Sequence, residues 1–200
     1  MEEMHWEEPM GNRHWTIATG LGLMLAIAPS LLPPPAPAVQ FPDGTVAFTS
    51  PPRLAEFRAS RDLTGARNVT YYFTITLPEE AEEALATLDI TLIEGSPQGL
   101  RYRLEETAAF QGTYGDRGEA IPVATATYDR DEQRFTLTLA EPAAPGQDIT
   151  VALRPVQNPL WEGVYLFELE ASPAGDLVRS QRVGTARMHI YSRDRPFRLF

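Results

Sequence analysis

The sequence predicts an all-β protein: a single antiparallel, immunoglobulin-like β-sandwich of about eight or nine strands, with one or two short helical turns. Many short runs alternate apolar and polar side chains, which is the pattern of a strand with one buried face. Turn-forming Pro, Gly, Asp and Asn residues separate these runs at regular intervals. Regularly spaced strands with one buried face are typical of two antiparallel sheets packed face to face.

The strongest strand signal lies in residues 158–175. Asn158-Pro159 opens this run as a turn, Pro173-Ala174-Gly175 closes it, and aromatic and β-branched residues fill the middle. Alternate side chains point to opposite faces, so we expect a central strand that is covered on one side. Tyr165, Phe167 and Leu169 share one face and Val164, Leu166 and Glu168 the other, and the run is apolar on both faces at its start but on only one at its end.

Residues 39–49 predict a turn followed by a short strand, which Pro51-Pro52 ends. Residues 53–67 are polar and predict a long connection, in which the spacing of Leu54 and Phe57 indicates one helical turn. Residues 69–77 predict a second strong strand. Its buried face is expected to carry Tyr71, Phe73, Ile75 and Leu77.

The middle of the chain predicts strands separated by short helical turns. Acidic residues after Pro78 favour a short helix over 79–85, and residues 88–92 alternate as a strand with one wet face. Leu100, Tyr102 and Leu104 predict another strand with one buried face. Residues 106–110 are then expected to form one helical turn before a Gly-rich loop at 111–118.

The remaining strands are predicted over 123–128, 135–139 and 149–153. A hairpin tip at 129–132 separates the first two, and Pro145-Gly146 separates the last two. A final strand follows a polar loop at 176–184. It is expected to bury Ala186, Met188 and Ile190 and to expose Arg187, His189 and Tyr191.

Residues 1–38 predict a signal peptide and not part of the fold. Arg13 and His14 precede an apolar run at 15–28, and Ala36 and Ala38 match the small-residue cleavage pattern, which predicts cleavage after Ala38. Acidic residues before Arg13 depart from the usual positive charge, so an uncleaved N-terminal anchor stays open as the alternative. The sandwich domain is predicted over 39–192, and residues 193–200 form a tail that folds back on the domain or docks to a partner.

Composition excludes several kinds of chemistry. The net charge of −10 argues against nucleic acid, which requires a basic stripe. All 17 basic residues are Arg, so neither a Schiff-base lysine nor a P-loop lysine is available. The absence of Cys removes thiol catalysis and thiolate metal sites. Beyond the leader His189 is the only imidazole, so one chain cannot build a site with two histidines.

The candidate catalytic residues have simpler interpretations. His189 lies near Ser192 and Asp194 in sequence, but no G-x-S-x-G elbow accompanies them, and an outward His on a final strand is more often a surface residue. Glu105 and Glu106 would point to opposite faces of a continuing strand, which does not suit a glycosidase pair. The acids at 129–132 do not match a calcium-binding loop. The sequence therefore predicts neither a metal nor any other cofactor.

Trp161 is the only Trp after the leader and lies in a predicted loop. A loop Trp can stack on a sugar or anchor a partner, but more often it plugs the end of a sandwich core. We expect the plug, and we place the candidate binding surface around it. The candidate binding residues are Arg154, Asn158, Pro159, Trp161 and Tyr165.

Several segments, in this order, resemble a family of cyanobacterial exported proteins that is catalogued only as a domain of unknown function. The segments are Phe41-Pro42-Asp43-Gly44-Thr45, Tyr71-Tyr72-Phe73, Arg101-Tyr102-Arg103-Leu104, Arg154-Pro155 with Asn158-Pro159, Gly163-Val164-Tyr165-Leu166-Phe167 and Pro173-Ala174-Gly175. The resemblance covers residues 39–191. It implies a β-domain of the cell envelope or of an internal lumen, and it carries no catalytic residues.

The sequence thus predicts an exported, non-enzymatic module that binds an unknown envelope protein or glycan. The predicted location is the periplasm, the thylakoid lumen or the cell surface, with no membrane insertion of the mature domain. Two alternatives stay open. One is an envelope hydrolase that uses the acidic residues and His189, and the other is a membrane-anchored structural subunit.

Overall fold

A computed structural model describes residues 44–98 and 100–192. Ten strands and two short 3-10 helices, Glu79–Ala81 and Leu104–Glu106, make up this part of the chain. The strands are β1 (Arg53–Ala59), β2 (Tyr71–Leu77), β3 (Leu85–Glu94), β4 (Ala108–Gly112), β5 (Arg117–Ile121), β6 (Val123–Asp129), β7 (Arg134–Ala143), β8 (Gln147–Leu153), β9 (Gly163–Pro173) and β10 (Gln181–Ile190).

The strands form two five-stranded antiparallel sheets, which confirms the predicted sandwich. The first sheet has the order β1-β2-β8-β4-β5, and the second has the order β10-β9-β3-β7-β6. Strands β5 and β6 follow one another across Pro122 but belong to different sheets, so the chain changes layer at this corner. At the opposite corner the edge strands β1 and β10 contact each other.

The core lies between the sheets and follows the predicted alternation. Strand β2 buries its alternate side chains completely, and β9 does the same at Tyr165, Phe167 and Leu169. β9 pairs with β10 on one side and with β3 on the other, so it is an interior strand as predicted. Rings of Phe57, Phe73 and Phe167 meet at centroid distances of 4.9 to 6.3 Å, in tilted and edge-on arrangements that aromatic pairs prefer.

Two predictions in the first third of the chain are wrong. Residues 53–59, predicted as part of a connection with a helical turn, form β1. Leu54 and Phe57 share a face because the pairing with β2 shifts between Leu54 and Glu56, and a bulge of this kind adds one residue to the alternation. The strand predicted within 39–49 is reduced, among residues 44–49, to an isolated bridge between Val46 and Val178.

Three further predictions fail between residues 79 and 118. The short helix over 79–85 is only a 3-10 turn, since β3 already begins at Leu85. Residues 100–104 form no strand, and Tyr102 makes one isolated bridge to Pro155. The helical turn predicted over 106–110 lies earlier, at Leu104–Glu106, and residues 108–112 are β4. Apolar and polar residues also alternate in loops here, because loop side chains pack on the core. The alternation therefore predicted more regular secondary structure than this part of the chain contains.

The tip of the β4–β5 hairpin curls over the outer face of the first sheet. Thr150 donates a hydrogen bond from Oγ1 to the carbonyl oxygen of Gly112 at 2.6 Å, and Tyr114 packs edge-on against Tyr72 at 4.7 Å. Thr74 and Thr150 consequently are buried although they point away from the core, and their hydroxyls lie 2.8 Å apart. The predicted loop at 111–118 is thus the ordered tip of a hairpin, which packs on the outer face of the first sheet.

The predicted leader at 1–38, residues 39–43 and the tail at 193–200 lie outside the described residues. Within the described ranges, no helix has the length and apolar character needed to cross a bilayer.

Candidate functional site

The end of the sandwich at which β9 begins exposes large apolar side chains. They are Leu63, Leu160, Trp161 and Tyr191, which we call the end surface. Three backbone segments hold them together. Thr64 donates from its amide to the carbonyl oxygen of Tyr191 at 2.9 Å, and Gly65 donates to the carbonyl oxygen of Pro159 at 2.9 Å. The end surface is therefore built from loops that hydrogen bonds fix to one another.

Trp161 points outward with 60% of its surface exposed, so the prediction that it plugs the core is wrong. Its indole Nε1 donates to Gln98 Oε1 at 3.3 Å, and its carbonyl oxygen accepts a hydrogen bond from the Tyr165 hydroxyl at 2.9 Å. Buried Tyr165 thus anchors the Trp161 backbone, while the indole ring faces the surroundings.

Asn158 is fully buried directly behind the end surface. Its Nδ2 donates to the carbonyl oxygens of Arg61 and Leu63, both at 3.0 Å, and its Oδ1 accepts from the Tyr71 hydroxyl at 2.8 Å. One amide side chain therefore joins the 61–66 loop to strand β2. Burial, with a further contribution from Tyr165, raises the pKa of Tyr71 well above its usual value, so this hydroxyl remains a donor.

Arg154 contacts a different segment, residues 103–106. Its Nη1 lies 2.7 Å from Glu106 Oε2, while Arg103 Nη1 lies 3.3 Å from the other oxygen of that carboxylate. The amide of Arg103 also donates to the carbonyl oxygen of Arg154 at 2.8 Å. Both side chains of the closer pair are about one-third exposed, so this network orients the 3-10 helix rather than presenting a free charge.

The candidate binding residues predicted from sequence thus divide into two groups. Trp161 belongs to the exposed end surface. Asn158, Pro159 and Tyr165 are buried behind it, and Arg154 is tied to Glu106. Asn158 and Pro159 directly precede the exposed Leu160 and Trp161, and the Tyr165 hydroxyl holds the Trp161 backbone. A binding surface at this end of the sandwich stays a prediction, and the residues available to form it are Trp161 and the other exposed residues of the end surface.

Sequence reasoning missed Leu63, Leu160 and Gln98. Leu63 and Gln98 come near Trp161 only in the folded chain, through loops that lie far apart in the sequence, and no local pattern marks Leu160, which directly precedes Trp161. It also missed an arginine and aromatic cluster on the outer face of the first sheet, which the curled β4–β5 hairpin creates. The residues of this cluster are Arg58, Tyr72, Phe110, Tyr114 and Arg117.

The groups proposed for a hydrolase lie far apart. Glu105 and Glu106 are on the 3-10 helix that contacts β6, whereas His189 is on β10, and β6 and β10 are opposite edges of the second sheet. His189 Nε2 accepts a hydrogen bond from Arg187 Nε at 3.1 Å. In the hairpin tip, Asp129 Oδ1 accepts from the amides of Asp131 and Glu132, which makes it a turn cap. Among residues 44–98 and 100–192 no cluster of three potential metal ligands occurs.

Comparisons with known proteins give low similarities outside one family. No curated protein matches. Among solved structures, BslA, a bacterial hydrophobin, matches with 15% identity and a TM-score of 0.42 over 71% of this chain and 99% of that chain. The collagen-binding subdomain of the Enterococcus faecalis surface protein ACE matches with 11% identity and a TM-score of 0.40 over 66% and 95%.

A third solved structure is the C-terminal domain of the Streptococcus pyogenes antigen I/II-family protein AspA. It matches with 10% identity and a TM-score of 0.39 over 64% of this chain and 42% of that chain. Such low similarity transfers no function. A family model, by contrast, matches residues 45–190, which is most of the chain and all ten strands. The chain belongs to the DUF2808 family, whose members are described as proteins of unknown function.

Proposed function

We propose that this protein is an exported, non-enzymatic binding module of the cell envelope, and that its end surface contacts a protein partner. The supporting observation is the exposed Trp161, which fixed loops hold beside two exposed leucines and a tyrosine. Trp and Tyr are enriched among residues that dominate binding energy at protein interfaces. The exposed groups offer contact area rather than a nucleophile, which favours binding over catalysis at this surface.

A protein partner fits the end surface better than a glycan. A sugar offers mainly hydroxyl groups, whereas the end surface adds the exposed aliphatic side chains of Leu63 and Leu160 to the indole of Trp161. Next to Gln98 lies an open cleft of about 370 Å³, which Tyr128 and Gln133 also line. A side chain from the partner would enter this cleft while its neighbours cover the indole.

The test uses the domain from Val39 to Phe200 as bait for envelope extract. Trp161→Ala is expected to lower the affinity for the partner by about thirtyfold or more, and its retention accordingly, because truncating a central aromatic anchor costs about 2 kcal/mol or more. Leu177→Ala is the matched control, since Leu177 is equally exposed, at 61%, but follows the other end of β9. Thermal unfolding checks that both variants fold.

Protease treatment of the extract before the experiment is expected to abolish retention, because it digests a protein partner. Equal retention by Trp161→Ala and wild type would overturn the proposal, and so would retention that survives protease but not glycan oxidation.

Export is tested by intact mass of the protein recovered from the envelope, for which an N-terminus at Val39 is expected. Recovery of the unprocessed chain from the membrane fraction would favour the anchored subunit instead.

A further inference from the structure

The arginine and aromatic cluster places Arg58 and Arg117 on the outer face of the first sheet. The guanidinium carbon of Arg117 lies 4.9 Å from the ring centroid of Phe110 and 5.3 Å from those of Tyr72 and Tyr114. The guanidinium carbon of Arg58 lies 4.5 Å from the centroid of Tyr114. Both arginines are exposed, so their N–H groups are available to a ligand while the rings hold the guanidinium planes.

The fold brings these two arginines together from opposite edges of one sheet. Arg58 lies on β1 and Arg117 begins β5, and four strand spacings of roughly 4.8 Å separate these edges. They meet because the hairpin tip carries Tyr114 back across the sheet. The tip is fixed by Thr113, whose amide donates to the Asp116 carbonyl oxygen at 3.0 Å and whose Oγ1 accepts from the Asp116 amide at 3.2 Å.

Neither arginine forms a salt bridge within the described part of the chain. The protein has 27 acidic and 17 basic residues, so partners for arginines are abundant. Among residues 44–98 and 100–192, four ion pairs form, and neither Arg58 nor Arg117 takes part in any of them. Two like charges held against one ring repel each other, and an incoming anion would remove that cost.

We propose that Arg58 and Arg117 bind carboxylate or sulfate groups of an acidic polysaccharide. The guanidinium fork matches a planar carboxylate or a sulfate through paired hydrogen bonds. The exposed large hydrophobic residues of the described chain all lie outside the five strands of this sheet, so its outer face offers a protein partner fewer apolar anchors than the end surface does. Nucleic acid binding draws on a basic stripe that contacts roughly six or more phosphates, whereas this cluster supplies two arginines.

The experiment measures binding of the domain, residues 39–200, to four probes at low salt: polygalacturonate, dextran sulfate, neutral dextran and single-stranded DNA. The wild type is expected to bind at least one of the two acidic glycans and not neutral dextran. Arg58→Gln and Arg117→Gln are each expected to weaken this binding about tenfold, because each removes a charge-assisted pair of hydrogen bonds. Arg58→Lys is expected to restore only part of the affinity, since it keeps the charge without the fork.

The matched control is Arg179→Gln, which changes the net charge equally in the loop after β9. It is expected to bind as the wild type does, and thermal unfolding of all variants checks their folding. The proposal is overturned if neither acidic glycan binds, if neutral dextran binds equally well, or if Arg179→Gln weakens binding as much as Arg117→Gln. DNA binding as tight as that of the glycans, with the same arginine dependence, would show a general polyanion site and overturn the glycan assignment. Because Trp161 lies outside this face, the proposed protein-binding function is tested separately.

Discussion

At the scale of single residues, the loops behind the end surface depend on Asn158. A buried amide that lacked partners would destabilise the fold, but this side chain uses both N–H groups and its oxygen. From the sequence, Asn158-Pro159 predicts a turn and a possible contact residue. The turn could be predicted from these residue types. The burial of Asn158 could not, because its hydrogen-bond partners Arg61, Leu63 and Tyr71 lie almost a hundred residues earlier.

Replacing Asn158 by Leu is expected to destabilise the protein by about 3 kcal/mol, since it removes three hydrogen bonds and leaves the buried Tyr71 hydroxyl without its acceptor. Urea unfolding measures this change. Asn68→Gly is the control, because Asn68 is exposed with a φ of 55° that glycine tolerates, and its effect is expected to be small. An Asn158→Leu variant as stable as wild type would contradict the assigned role.

At the scale of elements, the strands with strong alternation were predictable, and β1, whose alternation a bulge interrupts, was not. β2, β9 and β10 keep their periodicity and appear with the predicted inward faces. In β1 a register shift after Leu54 gives the apolar residues a helical spacing, so the pattern indicated the wrong element. The curled tip of the β4–β5 hairpin was also beyond prediction, because a tertiary hydrogen bond from Thr150 fixes it.

Gly112 determines the bend of this hairpin. Its φ is +85°, and a Cβ at this position would lie 2.2 Å from the carbonyl oxygen of Asp116. Gly112→Ala is therefore expected to displace the tip and lower the free energy of unfolding by about 2 kcal/mol, through backbone strain and the steric clash. Differential scanning calorimetry measures the loss.

Gly115→Ala in the same tip is the matched control, since nothing lies within 4 Å of its Cβ position. It is expected to leave stability nearly unchanged. Equal melting temperatures for the two variants would show that the hairpin does not need its bend. If Gly112→Ala also weakens glycan binding while Gly115→Ala does not, the tip positions Arg117.

At the scale of the whole molecule, the composition and the regular strand spacing predicted the architecture correctly as a two-layer antiparallel sandwich. The sheet order could not be predicted, since nothing local indicates that β2 pairs with β8 or β3 with β9. The candidate surfaces were predicted only as far as Trp161. Both surfaces combine residues from loops or strands that adjoin only in the folded chain.

The sandwich encloses tyrosine hydroxyls, so its stability is expected to fall at high pH. Burial raises the pKa of Tyr71 and of Tyr102 above the ordinary value of 10.0. Above pH 10 the unfolded chain loses these protons while the folded chain retains them, so the free energy of unfolding decreases as pH rises. Below this pH their contribution is constant.

Urea unfolding between neutral pH and about pH 12 measures this slope. Tyr102→Phe is expected to flatten it, because one ionising group is gone, and measurement of the same variant at neutral pH isolates the packing change. An unchanged slope would mean that the Tyr102 hydroxyl ionises in the folded protein as readily as in the unfolded chain.

The pairing of β2 with β8 and of β3 with β9 has a kinetic consequence. Each sheet can close only after distant parts of the chain have been synthesised and have met, and chains with such non-local pairings fold in milliseconds to seconds rather than microseconds. The polypeptide therefore remains unfolded for longer than a helical bundle of the same size would. For the exported form proposed here, that delay is the interval in which an unfolded chain can be threaded through a translocation channel.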